Sequence, residues 1–326
     1  MLSRVADAIY WISRYVERAE NVARFIDVNF NLLLDSPTSQ RQDWAPLVLT
    51  TGDQEWFAEH YGEPTPENVM RFLTFDRRYP NSIVSSIVHA RENAQTVREI
   101  ISREMFAELN MLYLTVTDAA RKNEPFEEMA SFYDRVRLAG NYYQGVTDAT
   151  LSRGEAWHFS RLARLLERAD KTSRILDVKY FTLLPTVSDI GSTYDQVGWA
   201  ALLNSASALQ MYRQAYQELA PSHVAEFLIL DKDFPRSIHY CVALAQQSLH
   251  AITKSPFNTY ENLAEKQLGQ LRANLDYADI ETIMQQGLHQ YLDRIQVALN
   301  EIGESIRHRF FELSDEATVQ TQSQSL

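Results

Sequence analysis

The chain has 326 residues, 45% of them hydrophobic, and a formal net charge of -12. That length can bury a large core, and the acidic field would repel a phosphate backbone, which argues against nucleic acid as a partner. Gly 10 and Pro 10 are too few for a turn-rich all-β fold or a glycine-rich phosphate loop, and one cysteine, Cys241, excludes an intrachain disulfide framework and any multi-cysteine metal site.

The opening MLSRVADAIYW lacks the basic-then-apolar plan of a secretory signal, and no apolar run approaches a membrane span, so a soluble cytoplasmic protein is expected. Ser3 reads as a cap for the first helix. On a 3.6-residue period Trp11, Ile12, Tyr15, Ala19, Val22, Ala23 and Ile26 share one side, while Glu17, Glu20, Arg24 and Asp27 form a stripe opposite. The helix is expected to run through FNLLLD and stop before Ser36-Pro37. Further apolar periodic runs follow, separated by polar breaks such as KNEP, and Ser152-x-x-Glu155 reads as a capping box opening another long helix. Strand-like alternation never persists. The segment LLPTVSDIGSTYDQVG reads as a connecting loop, and the polar tail 314–326 as disordered.

Much of this chain is written twice. WISRYVERAENVARFIDV, from Trp11 to Val28, and RLARLLERADKTSRILDV, from Arg161 to Val178, agree at Arg14/Arg164, Glu17/Glu167, Arg18/Arg168, Ala19/Ala169, Arg24/Arg174, Asp27/Asp177 and Val28/Val178, a shift of 150 residues. At a shift of 155, Trp44 meets Trp199, Phe57 and Tyr61 meet Tyr212 and Tyr216, and Asp76-x-x-Tyr79-Pro80-x-Ser82-Ile83 meets Asp231-x-x-Phe234-Pro235-x-Ser237-Ile238. The aromatic-Pro-x-Ser-Ile sequence is a helix start with the serine as cap. YDRVRLA recurs within LDRIQVALN at a shift of 159. The expected fold is therefore all-α, a helical bundle of two duplicated multi-helix repeats with pseudo-two-fold symmetry. Repeat one covers about 1–150 and repeat two about 151–313, together forming one domain, 1–313.

Charge is what the twin stretches keep best. An exposed face of i,i+4 pairs contributes only a few tenths of a kcal/mol per pair (roughly 0.2–0.5) and would have drifted between copies. Two readings remain: a buried network in which Glu17, Arg18 and Arg24 interleave with Glu167, Arg168 and Arg174, fixing register, or an anion site for carboxylate or phosphate groups built from paired guanidiniums. The candidate ligand-binding residues are Arg14, Arg18, Arg24, Arg164, Arg168 and Arg174, joined by Arg91 from the charged run HARENA. Glu17 and Glu167 are the candidate acid and base should the chain be catalytic. Glu155-x-x-His158 has one half of the spacing of a di-iron bundle site, but Val5 and Ala8 stand at the matching positions, so no metal and no cofactor are expected. Trp11, Trp44, Trp157 and Trp199 read as packing.

MLSRVADAIYWISRYVERAENVARFIDV, with ARENAQTVRE, GVTDATLSRGEAWHFSRLARLLERADKTSRILDV and FPRSIHYC, closely resembles the bacterial alpha-E family, named for an all-helical domain with an E-R motif. The resemblance spans Met1 to about Arg309 and places the motif at Glu17-Arg18 and Glu167-Arg168; it departs at Gln95, where relatives often carry arginine. The family is of unknown function. The resemblance implies neighbours rather than a reaction: a circularly permuted ATP-grasp protein and transglutaminase-like proteases, and hence peptide or amide ligation and cleavage. A helical partner of such a ligase, an enzyme in its own right, and a purely structural interaction module are the three roles left open.

Overall fold

The computed structural model describes residues 1–35, 44–49, 51–122, 128–182, 193–257 and 259–312. Among them there are no strands, and the helices run α1 (Ser3–Asp35), α2 (Ala45–Leu49), α3 (Gln54–Tyr61), α4 (Pro66–Thr74), α5 (Ile83–Thr96), α6 (Arg103–Lys122), α7 (Met129–Thr150) and α8 (Glu155–Thr182). They continue as α9 (Thr193–Ser205), α10 (Leu209–Ala215), α11 (Pro221–Leu230), α12 (Ile238–Thr253), α13 (Leu263–Asp276), α14 (Ile280–Gln286) and α15 (Leu288–Ile306), followed by a π-helical turn, Arg307–Phe311. The expected loop falls largely, at 183–192, outside the described residues, as does the whole tail 314–326. No described helix is long and apolar enough to cross a membrane.

The two helices that carry the repeated stretch, α1 and α8, pack against each other at the centre. α1 is flanked by α5 and α7, and α8 by α12 and α15. Ala19 and Ala169, matched in the sequence, are both fully buried. With only a methyl group on each, the side chains around them can span from one helix to the other. One core gathers Ile9 and Ile12 of α1 with Leu162 and Leu166 of α8, Cys241 and Ile302. The other packs Trp44, Phe72, Ile83 and Phe132 around Ala19, Ala23 and Ile26. Each fully buried Ile or Phe contributes about 1.5–3 kcal/mol of transfer free energy. Cys241 is a small core residue, its thiol pushed up to about 12 by burial.

The matched motifs adopt matched local structure. Ser82 and Ser237 cap α5 and α12 by accepting from the amides of Ser85 and Tyr240. Phe57 stacks on Tyr61 at 5.3 Å and meets Phe72 edge-on at 5.1 Å; Tyr212 stacks on Tyr216 at 5.0 Å and meets Phe227 edge-on at 5.7 Å. Two caps differ from expectation. α1 already includes Ser3, and α8 opens at Glu155 itself after a turn at Ser152–Gly154, so Ser152 is not its N-cap.

Candidate functional site

The stripe that reads as the polar side of α1 is buried: Glu17, Glu20, Arg24 and Asp27 are all at most 6% exposed. α8, α7 and the turn before α12 cover it, so every charge must find a partner inside the protein.

The partners are exchanged between the two E-R motifs. Arg168 donates to Glu17 through Nε–Oε1 at 2.7 Å and Nη2–Oε2 at 3.0 Å; Arg18 donates to Glu167 through Nε–Oε1 at 2.7 Å and Nη2–Oε2 at 3.0 Å. Each is a bidentate guanidinium–carboxylate pair, the geometry in which charge-assisted hydrogen bonds are strongest. Burial would raise both carboxyl pKa values. Arg168 and Arg236 outweigh it at Glu17 and hold it down to about 2, while Arg18 and Arg14 hold Glu167 well below the usual carboxylate range.

Beyond this shared core the two sides diverge. Glu17 also accepts from Asn21 Nδ2 at 2.9 Å, Gln144 Nε2 at 2.7 Å and Arg236 Nη1 at 3.3 Å. Arg236 reaches Glu20 as well, at 3.1 Å, and Glu20 pairs with Arg24 one turn along α1. Two carboxylates thus face Arg24, Arg168 and Arg236. Burial, followed by the pressure of Arg168, brings the Arg236 pKa down to about 10. α7 approaches α1 so closely here that a Cβ on Gly140 would lie 2.8 Å from Glu20 Cγ.

Glu167 has a looser shell. Arg14 Nε donates at 2.7 Å and Lys171 Nζ lies 3.6 Å away; Arg18 Nη1 also donates to Asn81 Oδ1 at 2.5 Å. Asp170 holds Lys171 at 3.0 Å and Arg174 at 2.9 Å. Beside this group lies a cavity of about 170 Å³, partly open, lined by Arg14, Arg18, Lys171, Arg174 and Asp170 together with the apolar Phe25 and Ile175.

The structure therefore gathers Arg14, Arg18 and Arg174 at this cavity, with Glu167 behind Arg14 and Arg18. Arg168 and Arg24 do not line this cavity; Arg168 pairs with Glu17 and reaches the separate depression at Trp157. Arg24, expected among the ligand-binding residues, is 2% exposed, pairs with Glu20 and is absent from the cavity wall. The expected interleaving is likewise confined to Glu17, Arg18, Glu167 and Arg168, because Arg24 and Arg174 each pair within their own helix. Arg164 faces a different depression, formed around Trp157 and Tyr240. Arg91 stands apart on α5, donating to Asn110 and lying 4.4 Å from the centre of the Tyr113 ring. Among the described residues no group of three or more His, Cys, Asp or Glu side chains is placed to hold a metal ion.

Sequence reasoning missed Arg236, Gln144, Asn81 and Lys171. For the first and third there was a signal: Asn81 and Arg236 occupy the variable position of the repeated aromatic-Pro-x-Ser-Ile motif, and both point from a helix start into the E-R centre.

Fold and site together define an all-helical protein organised on a buried, reciprocal Glu–Arg centre. The chain belongs to the Alpha-E family, described as a predicted alpha-helical domain with a conserved ER motif, whose model matches residues 1–311. It is similar to the uncharacterised proteins Rv2567 of Mycobacterium tuberculosis and Mb2597 of Mycobacterium bovis, each 22% identical over 260 residues, covering 73% of this chain and 28% of the relative. The chain thus corresponds to under a third of the length of those relatives. No solved structure matches it.

Proposed function

We propose that the protein is a non-catalytic helical module that holds a small carboxylate- or phosphate-bearing ligand in the cavity beside Arg18 and Glu167. The observation that carries this reading is the cavity itself, lined by four cationic side chains against the single carboxylate of Asp170, with Phe25 and Ile175 among its apolar residues. A buried network that served only register would close over its charges, as happens directly around Glu17, where the remaining void is only about 10 Å³. At about 170 Å³ the space suits an acid group on a short carbon chain and is well below the ~300–1,000 Å³ of pockets that enclose larger ligands. Glu17 and Glu167 receive no proton-transfer role. Both are buried under guanidiniums and kept ionised, whereas a general acid or base needs a pKa near the working pH and access to the substrate.

The proposed setting is an accessory role beside an ATP-grasp peptide or amide ligase in the bacterial cytoplasm, with a transglutaminase-like protein as a second partner, as the family resemblance implies. Within this reading the chain is one domain built by duplication. The exchanged E-R pairs, the recurring aromatic clusters and the contacts of Asp27 with Arg137 and Asp177 with Gln296, matched positions at the shift of 159, support a pseudo-two-fold relation of the halves.

The test is co-purification with the ATP-grasp neighbour and ATP-hydrolysis measurements with and without this chain, across amino acids and short peptides. A complex whose substrate-dependent turnover needs both proteins, and weakens with Lys171→Met, is the expected result. Absence of a complex rules out the accessory role; absence of any ligand-induced thermal shift across small carboxylates and phosphates rules out the cavity as a site.

A further inference from the structure

Repeat-mates should share an environment, and Arg14 and Arg164 do not. Arg14 completes the shell of Glu167, whereas the space it would occupy beside Glu17 is taken by Gln144. At the shift of 159 the counterpart of Gln144 is Gly303, whose missing side chain leaves room for the Arg14 guanidinium, 3.8 Å from where a Cβ would stand. Arg164 is thereby displaced. Its Nε is buried without a hydrogen-bond partner, and its nearest carboxylate oxygen, on Asp148, is 3.7 Å from Nη1.

What Arg164 faces is a depression of about 480 Å³, open to solvent, with Arg153, Arg161, Arg168, Trp157 and Tyr240 around it. Arg153 and Arg161 lie 4.2 and 5.2 Å from the Trp157 ring centre, and Trp157 Nε1 donates to Asp148. Trp157, expected as packing, is thus a partly buried platform under two guanidiniums. Arg168 is paired with Glu17, so among the side chains that line the depression Arg153, Arg161 and Arg164 stand against the single carboxylate of Asp148, a surplus of two positive charges in the lining on an otherwise acidic protein. The field is felt nearby: burial lowers the pKa of His158, and Arg161 and Arg153 lower it further.

We propose that this depression is a second, independent binding site, taking the dianionic head of a phosphate monoester between Arg161 and Arg164. A dianion matches the surplus charge, planar guanidiniums bind phosphate oxygens in bidentate fashion, and the volume leaves room beyond the phosphate for an organic group against Tyr240.

The experiment is calorimetric titration of the full chain with inorganic phosphate and phenyl phosphate, with acetate as the monoanion control. Saturable binding of both phosphates, tighter than acetate and weakened at least tenfold by Arg161→Gln, is expected. Arg153→Gln, at an exposed position, should weaken binding less, because the Arg153 guanidinium is already engaged by the Asp148 carboxylate and backbone carbonyl. Arg164→Gln should equal or exceed the effect of Arg161→Gln; if that variant does not fold, the two exposed-side variants still decide. Phosphate binding that is absent at millimolar concentration, or indifferent to Arg161→Gln, overturns the proposal. Binding lost through Lys171→Met instead places the anion in the first cavity, which overturns this inference and leaves the proposed function standing.

Discussion

The Glu17 and Glu167 sides of the centre begin from the same bidentate pair and end differently. Around Glu17, Asn21, Gln144 and Arg236 occupy the remaining lone pairs and leave a void of only about 10 Å³; Glu167 is equally buried, but its partners Arg14, Arg18 and Lys171 line a partly open cavity of about 170 Å³. One repeated motif has become a lock on one side and a wall of a pocket on the other. What separates them is the neighbours, above all Gln144 against Gly303 and Arg236 against Asn81.

The comparison breaks most visibly by removing one charge. Glu17→Gln leaves Arg168 and Arg236 as buried cations without a full counter-charge and should cost about 3–5 kcal/mol, measured by urea unfolding. Glu167→Gln should cost less, about 1–3 kcal/mol, because Arg14 and Arg18 border a cavity that water can enter. Equal losses would refute the distinction between a closed and an open side. Glu17→Met combined with Arg168→Met should cost clearly less than the two single losses added together, since the pair is removed whole.

Acid offers the same contrast without mutation. Folding lowers the Glu17 pKa, so the native state binds fewer protons than the unfolded chain there. Its contribution is fully present above the ordinary glutamate value of 4.5 and drains as pH falls from there toward about 2. Wild-type stability should decline across that window, and the Glu17→Gln variant should show a shallower decline. An unchanged slope would mean that Glu17 is not the titrating group.

Smaller effects sharpen the picture at the glycines. Gly140→Ala forces a Cβ against buried Glu20 and should cost about 1–3 kcal/mol by overpacking. Gly303→Ala meets only the ordinary contact with Arg14 and should be neutral or stabilising by up to about 1 kcal/mol, as an alanine in a helix interior loses less chain entropy on folding. The smallest change belongs to Arg91, outside both sites: Arg91→Ala should cost about 0.5–1 kcal/mol through its contact with Tyr113 and leave ligand-induced thermal shifts intact.

The helices, their serine caps at Ser82 and Ser237, and the convergence of Glu17, Arg18, Glu167 and Arg168 were legible because each follows from local periodicity or from a motif retained in both halves. Arg14 and Arg164 match in the sequence but stand in different surroundings, which the repeat could not show. Role depends on what the neighbouring helices place opposite, and α7 and α15 place Gln144 opposite one copy and Gly303 opposite the other. Arg236 escaped notice because its only signal was its place in the repeated motif, where Asn81 stands in the other copy, so matching residue types between the copies passed over it.

The sequence by itself determined an all-helical chain with a duplicated charge pattern, since helical period and capping chemistry act over a few residues. Only the tertiary structure decided that the polar stripe of α1 lies inside, that the arginines around Glu167 line a cavity while Glu17 is packed among Asn21, Gln144 and Arg236, and that Arg164 is left facing an open depression. Those outcomes depend on burial and on which donors reach each carboxylate oxygen first, and both are set by helices distant in the chain.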